Sequence, residues 1–237
     1  MNGRSLLKFR SDVDVELIDF MGTDNAICHA ARVSTLGSRM ADPDEKKDAG
    51  LINFLMRDRH HTPFEMCNMK FRIRVPIFVL NQHVRHRMMS INVESARYTQ
   101  LEPEFYVPAS DRPLVQTGKV GDYKFDMGPA DLTHIAKEVI EQQSLEAYLA
   151  YESMIDAGIA KEIARAVLPM NIYATAYTSF NLRSLMHFLS LRNYTEDSAV
   201  PTHPQYEIEM VAREYEEHFK SLFPVTHETF IKNGRVC

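Results

Sequence analysis

The sequence predicts an α+β fold in a single domain spanning residues 1–237, with a small mixed or antiparallel sheet flanked by long helices. Three observations lead there. Residues 69–75 alternate Met69, Phe71, Ile73 and Val75 with Lys70, Arg72 and Arg74, the period-two pattern of a half-buried strand. Residues 131–157 keep a helical pattern up to Gly158, a residue suited to closing a helix. The chain has 237 residues, 45% hydrophobic and 25% charged, ordinary values for a protein with a real core.

Each element has its own warrant. Residues 13–20 partly alternate and make the first expected strand. Asp24 can cap a helix running to about Val33 and ending in the loop Thr35–Ser38. A second helix opens at Asp42 or Asp44, puts Ile52, Leu55 and Met56 on one face, and stops before His60. Pro76 ends the 69–75 strand and suits the first turn of a helix over 77–87, in which Gln82 lies about one turn from Arg85 and His86. Residues 99–130 are expected to be irregular surface, because Pro and Gly recur after Tyr106. After the 131–157 helix come a short helix at 160–167, ending at Pro169, and a segment 170–179 that is either a strand or an extended lead into the next helix. Helices over 181–192 and 204–222 complete the chain, which has no internal repeat and no clear linker.

Composition excludes several functions. A net charge of −5 and a pI near 6.1 give no overall pull toward nucleic acid or an anionic membrane, so neither is an expected partner. No apolar run approaches the ~18 residues that span a bilayer, and the first residues lack the apolar segment of a secretory signal. The three cysteines, Cys28, Cys67 and Cys237, form no paired spacing, which argues for a reducing compartment; the cytoplasm is the expected location.

The chemistry concentrates in residues 85–98, Arg-His-Arg-Met-Met-Ser-Ile-Asn-Val-Glu-Ser-Ala-Arg-Tyr. Arg85, His86 and Arg87 stand side by side, followed by Ser90, Asn92, Ser95 and Arg97. Guanidinium groups grip phosphate oxygens in a planar, two-pronged way, and hydroxyls and amides supply further hydrogen bonds. In an acidic chain such a segment points to a phosphorylated small molecule. On helix 181–192, Leu182, Leu185 and Leu189 share one face, while Arg183, His187 and Ser190 share another; that second stripe is either a solvated face or the wall of an anion site. Asn181 is its natural N-cap, and Arg192 sits in its last turn. Arg165, on a short apolar helix, serves either a structural salt bridge or the same ligand. His60-His61-Thr62-Pro63-Phe64-Glu65 is either a helix exit or a further polar cluster. Ten histidines raise the question of a metal, but arginines flank His86 and no carboxylate stands near it, so no metal site is expected.

The motif Arg85-His86-Arg87, seven residues, then Ser95-Ala96-Arg97-Tyr98 resembles that of the flavin-dependent thymidylate synthases. Pro76-Ile-Phe-Val-x-x-Gln82, His60-x-Thr62-Pro63-Phe64-Glu65, Ala164-Arg165-x-Val-Leu-Pro and Asn181-x-Arg183-Ser184-Leu185 match as well, in family order. The resemblance implies that family's fold and a methyltransferase that makes dTMP from dUMP. It further implies 5,10-methylenetetrahydrofolate as one-carbon donor, FAD as hydride carrier, NADPH as reductant, and a homotetramer with active sites shared between subunits. By position, Gln82, Arg85, Ser95, Ala96, Arg97 and Arg165 would hold dUMP, and Arg192 would bind and polarise its ring as the catalytic residue. His60, Thr62, Arg85, His86, Arg87, Asn181, Arg183 and His187 would meet FAD, with His60 also near the folate. Two departures stand out: Val93 replaces the usual Glu, with Glu94 beside it as the candidate flavin contact, and residues 193–204 form a longer, more acidic segment than is usual. None of the cysteines lies near the motif, which argues against a thiolate that attacks uracil.

Overall fold

Strand β3, Asn68–Pro76, buries Met69, Phe71, Ile73 and Val75 and leaves Lys70 and Arg72 outside, as the alternation predicts. The computed structural model describes residues 7–37, 44–120, 122–129, 131–196 and 198–237. The preceding elements are β1 (Lys8–Arg10), β2 (Asp14–Met21), α1 (Asp24–Leu36) and α2 (Glu45–Arg57). After β3 come α3 (Ile77–His83), β4 (Ser90–Val93), β5 (Glu104–Tyr106), β6 (Val115–Lys119) and β7 (Asp122–Asp126). Then follow α4 (Asp131–Asp156), α5 (Lys161–Ala164), β8 (Tyr173–Asn181), α6 (Leu182–Arg192), α7 (Tyr206–Leu222) and α8 (Pro224–Lys232). The α+β expectation holds. Among the described residues no helix is long and apolar enough to cross a membrane.

Contacts divide the chain into two units, each drawn from separated stretches. The first holds the described residues before Asp14, Arg74–His83 and Asn92–Ala176. In it β1 pairs in parallel with β5, and Phe105, Tyr148, Tyr151 and Ile172 pack with Leu101 and Ala164 into a core against α4. Glu104, buried in β5, gathers Lys8 Nζ at 2.6 Å and Arg74 Nε at 2.5 Å; burial opposes its charge, and these cations hold its pKa low. The second unit comprises Asp14–Ile73, Val84–Ile91 and Tyr177–Cys237. It contains most of a four-stranded sheet of order β2-β3-β8-β4. Tyr215 of α7 lies 4.3 Å from Phe71 and 5.5 Å from Phe180, and its hydroxyl is 2.9 Å from Thr178 Oγ1.

Several elements depart from expectation for local reasons. Thr23, rather than Asp24, caps α1; the Asp24 carboxylate accepts instead from the Val225 and Thr226 amides at 3.0 Å each, capping the unforeseen α8. Asp44 caps α2; the alternative cap Asp42 and the loop residue Ser38 lie outside the described residues. Helix α3 stops at His83, whose buried ring places Nδ1 3.2 Å from the Val79 carbonyl oxygen. Arg85, His86 and Arg87 therefore stand in turns and not on a helix face: two arginines around a histidine gain nothing from stacking, and β4 begins at Ser90. The 99–130 stretch is not wholly irregular. It contains β5, buried but only three residues long, and the antiparallel β6–β7 pair, with Lys119 opposite Asp122, which is too short and too exposed for an alternating pattern to reveal. The 160–167 helix is α5 followed by a 3-10 turn at Arg165–Val167. The 170–179 segment resolves as strand β8, and α4 ends as predicted, with Gly158 at φ 84°.

Candidate active site

Helix α6 carries the densest chemistry of the second unit. Asn181 Oδ1 accepts from the Ser184 amide at 2.8 Å, the expected N-cap. Leu182, Leu185 and Leu189 are buried, which leaves Arg183 and His187 on the exposed face one helical turn apart. Arg192 closes the helix.

Beside that face, the turns after α3 bring Arg85, His86 and Arg87 together with His187 and Arg192 around a cavity of about 190 Å³. Among the described residues lining it, none is acidic. The His86 ring packs 4.6 Å from Phe188 and 6.2 Å from His187. Arg192 Nε donates to His86 Nε2 at 3.0 Å. That bond requires a lone pair on Nε2, so it favours a neutral His86 with its proton on Nδ1. Burial depresses the Arg192 pKa, the mark of a charge that has lost water. A neighbouring cavity of about 380 Å³ is lined by Arg183, Ser184, His187, Met88, Glu65 and Cys237, with Arg183 Nη1 on Glu65 Oε1 at 2.5 Å.

His60 and Thr62 lie elsewhere in the second unit, on an open and mainly apolar cavity of about 690 Å³ between α1, the end of α2 and the 3-10 turn Thr62–Met66. The His60 ring stacks on Phe54 at 5.6 Å. Cys67 is sealed under Gly22, where φ is 97° and any Cβ would strike the sulfur. Burial pushes Cys28, Cys67 and Cys237 up to about 11.

The first unit holds a separate cluster. Ser95, Ala96 and Arg97 form the turn after β4, with Ser95 Oγ accepting from the Arg97 amide at 3.4 Å. Arg97 Nε donates to Glu162 Oε2 at 2.9 Å, and Arg165 Nε to the Glu162 carbonyl at 3.4 Å, so both arginines converge on one residue. Gln82 stands half-buried on α3. The Glu94 carboxylate, the expected flavin contact, accepts from the Thr175 amide at 3.1 Å while its own N–H donates to the Thr175 carbonyl at 2.8 Å. It clamps the motif to β8, and Val93 beside it is exposed. The pairing of Arg97 with Glu162 and of Arg183 with Glu65 was not foreseen from sequence, although Glu65 stands in the His60–Glu65 cluster and Glu162 lies three residues before Arg165. Among the described residues, no group of three or more His, Cys, Asp or Glu side chains is placed to hold a metal.

Clustered guanidinium and imidazole groups around paired cavities fit a cofactor that carries phosphates. A family model described as "Thymidylate synthase complementing protein" matches residues 16–225. The chain is 47% identical over 231 residues to the flavin-dependent thymidylate synthase of Tropheryma whipplei (strain TW08/27), covering 97% of this chain and 96% of that one. It is 47% identical over 233 residues to the flavin-dependent thymidylate synthase of Streptomyces avermitilis, covering 97% and 95%. The solved structure of the UMP/dUMP methylase PolB from Streptomyces cacaoi, bound with 5-Br dUMP, aligns with a TM-score of 0.93 at 45% identity over 97% of this chain and 99% of that one. Fold and likeness together define an enzyme of the methyltransferase class. The chain belongs to the flavin-dependent thymidylate synthase family.

Proposed function

We propose that this protein converts dUMP to dTMP by flavin-dependent reductive methylation, with 5,10-methylenetetrahydrofolate as the one-carbon donor and NADPH as the reductant. The observation that carries the reading is the cavity ringed by Arg85, His86, Arg87, His187 and Arg192, with no acidic side chain among the described residues that line it. Bound FAD would supply hydride for the new methyl group. Arg85, Arg87, Arg183 and His187 would hold its phosphates and ring system, and His86 would hold Arg192 in place. Asn181 supports this set by fixing the start of α6, and His60 and Thr62 would serve the flavin and folate from the apolar cavity.

Gln82, Ser95, Ala96, Arg97 and Arg165 would bind dUMP together with Arg85, in sites shared among the subunits of a homotetramer, each chain acting as one domain over 1–237. Arg192, already desolvated, would sit at the uracil edge and stabilise the negative charge that makes carbon 5 nucleophilic. A fixed donor of this kind contributes about 2.7–4 kcal/mol in a dry site. Carbon 5 would bond the methylene carbon as that carbon's bonds to the folate nitrogens break and tetrahydrofolate leaves, and would release its own proton to water. Thiols raised to about 11 are only ~10⁻⁴ ionised at neutral pH, which supports a route without a cysteine nucleophile. Glu94 would clamp the substrate turn to β8 and, beside Val93, remains the candidate flavin contact.

The test is tritium release from 5-tritiated dUMP by purified, flavin-loaded protein with folate and NADPH. Release that requires all components supports the reading; no release with any flavin or folate form sinks it. A second reading has its own support, since the PolB relative is named for UMP as well as dUMP and was also solved with 5-Br UMP. Direct competition of UMP against dUMP in the same assay separates the two.

A further inference from the structure

One buried polar network lies outside the residues assigned above. Glu216 of α7 accepts two bonds from the Arg235 guanidinium, each 2.6 Å, one from Asn193 Nδ2 at 2.5 Å, and faces His227 Nε2 at 2.9 Å. Arg235 is 2% exposed, Asn193 6% and Glu216 7%. Burial opposes the charge on Glu216, but these donors outweigh it and hold the pKa down at about 2. Such a pair is a poor way to gain stability, because apolar side chains of equal volume often do as well. It is also held at a conformational cost: Arg235 stands at φ 57°, in the left-handed region, directly after Gly234 at φ 75°.

The network ends beside the proposed catalytic group. Asn193 follows Arg192 in the chain, and its own N–H caps α6 on the Leu189 carbonyl at 2.9 Å. Its side chain is pinned by Glu216, so backbone and side chain are both fixed one residue beyond Arg192. Arg192 in turn reaches His86 at 3.0 Å. We propose that Asn193, held by the bond from its side-chain amide to a Glu216 oxygen, is a positioning residue that sets the last turn of α6 and so aims the Arg192 guanidinium at the substrate ring. This rests on the reading of Arg192 above.

The test compares flavin-loaded full-length variants by kcat, KM for dUMP, Tm and flavin absorbance. Asn193→Ala leaves the Glu216–Arg235 pair intact and should keep flavin and a near-native Tm. Its kcat should fall about 10- to 100-fold, with KM changed much less, as a small misplacement of a reacting group does. Glu216→Gln keeps an oxygen for Asn193 to donate to but strands Arg235, so Tm should drop while kcat per folded flavoprotein stays within about twofold of wild type. Asn193→Ala with native kcat and lowered Tm would overturn the proposal and leave the network purely structural. A Glu216→Gln variant that loses kcat as fully as Asn193→Ala overturns it too, since charge and not placement would then matter. Should Asn193→Ala not fold, Asn193→Ser, too short to reach Glu216, is judged by the same kcat and Tm outcomes. Arg192→Ala separates the two failures: native kcat there removes the reading of Arg192 itself, whereas loss there beside native Asn193→Ala removes only the positioning role.

Discussion

The two arginine clusters solve one electrostatic problem in opposite ways. In the first unit Arg97 is half-exposed and spends its charge on Glu162, itself half-exposed, at 2.9 Å. In the second unit Arg192 is half-buried beside the His86 ring, with no carboxylate lining its cavity among the described residues. An exposed pair is worth little and is easily exchanged for another anion, whereas a desolvated cation is expensive to keep and strong when met. Arg97 thus suits capture of a phosphate that arrives and leaves. Arg192 suits a charge that appears only during reaction, where a fixed dipole or cation has most effect.

The comparison can be broken at its strongest point first. Arg192→Ala should lower kcat about 100- to 1,000-fold in the tritium-release assay with flavin retained, and turnover within a few-fold of wild type would remove the distinction. Arg97→Ala should act on binding instead, raising KM for dUMP about 10- to 100-fold with a smaller effect on kcat; a pure kcat effect would place it with Arg192. Arg87→Ala should weaken flavin retention about tenfold, measured as visible flavin absorbance after gel filtration, and wild-type occupancy would contradict its assignment. The smallest effect sharpens the picture most. Glu162→Gln removes the carboxylate that competes with phosphate, so dUMP should bind up to about fivefold tighter while deoxyuridine, which lacks the phosphate, should be unaffected. Weaker dUMP binding would make Glu162 an orienting partner rather than a competitor.

Sequence reached the site more easily than its surroundings. Arg85, His86 and Arg87 announced themselves because nothing in packing requires Arg-His-Arg in succession, and α6 was legible because Leu182, Leu185 and Leu189 mark its buried face. What pairs with these groups was not legible. Glu65 meets Arg183 across 118 residues and Glu162 meets Arg97 across 65, separations over which no local periodicity carries information. The early end of α3 was hidden for a different reason. Propensity favours continuing through Val84–Arg87, and only tertiary demands, the start of β4 and the buried His83 ring, override it. The β6–β7 pair escaped notice because its strands are exposed and obey turn chemistry rather than a hydrophobic alternation.

The Asp24 carboxylate, which accepts the Val225 and Thr226 amides from 201 and 202 residues away, has a consequence for how the chain is made. Synthesis delivers α8 about 200 residues after α1, so α1 waits with an unmet carboxylate over that stretch, while the first unit, whose last segment ends at Ala176, has all its pieces earlier. Ribosome-arrested nascent chains that stop before Pro224 should therefore protect the 92–176 region from protease while residues 24–36 remain cleavable.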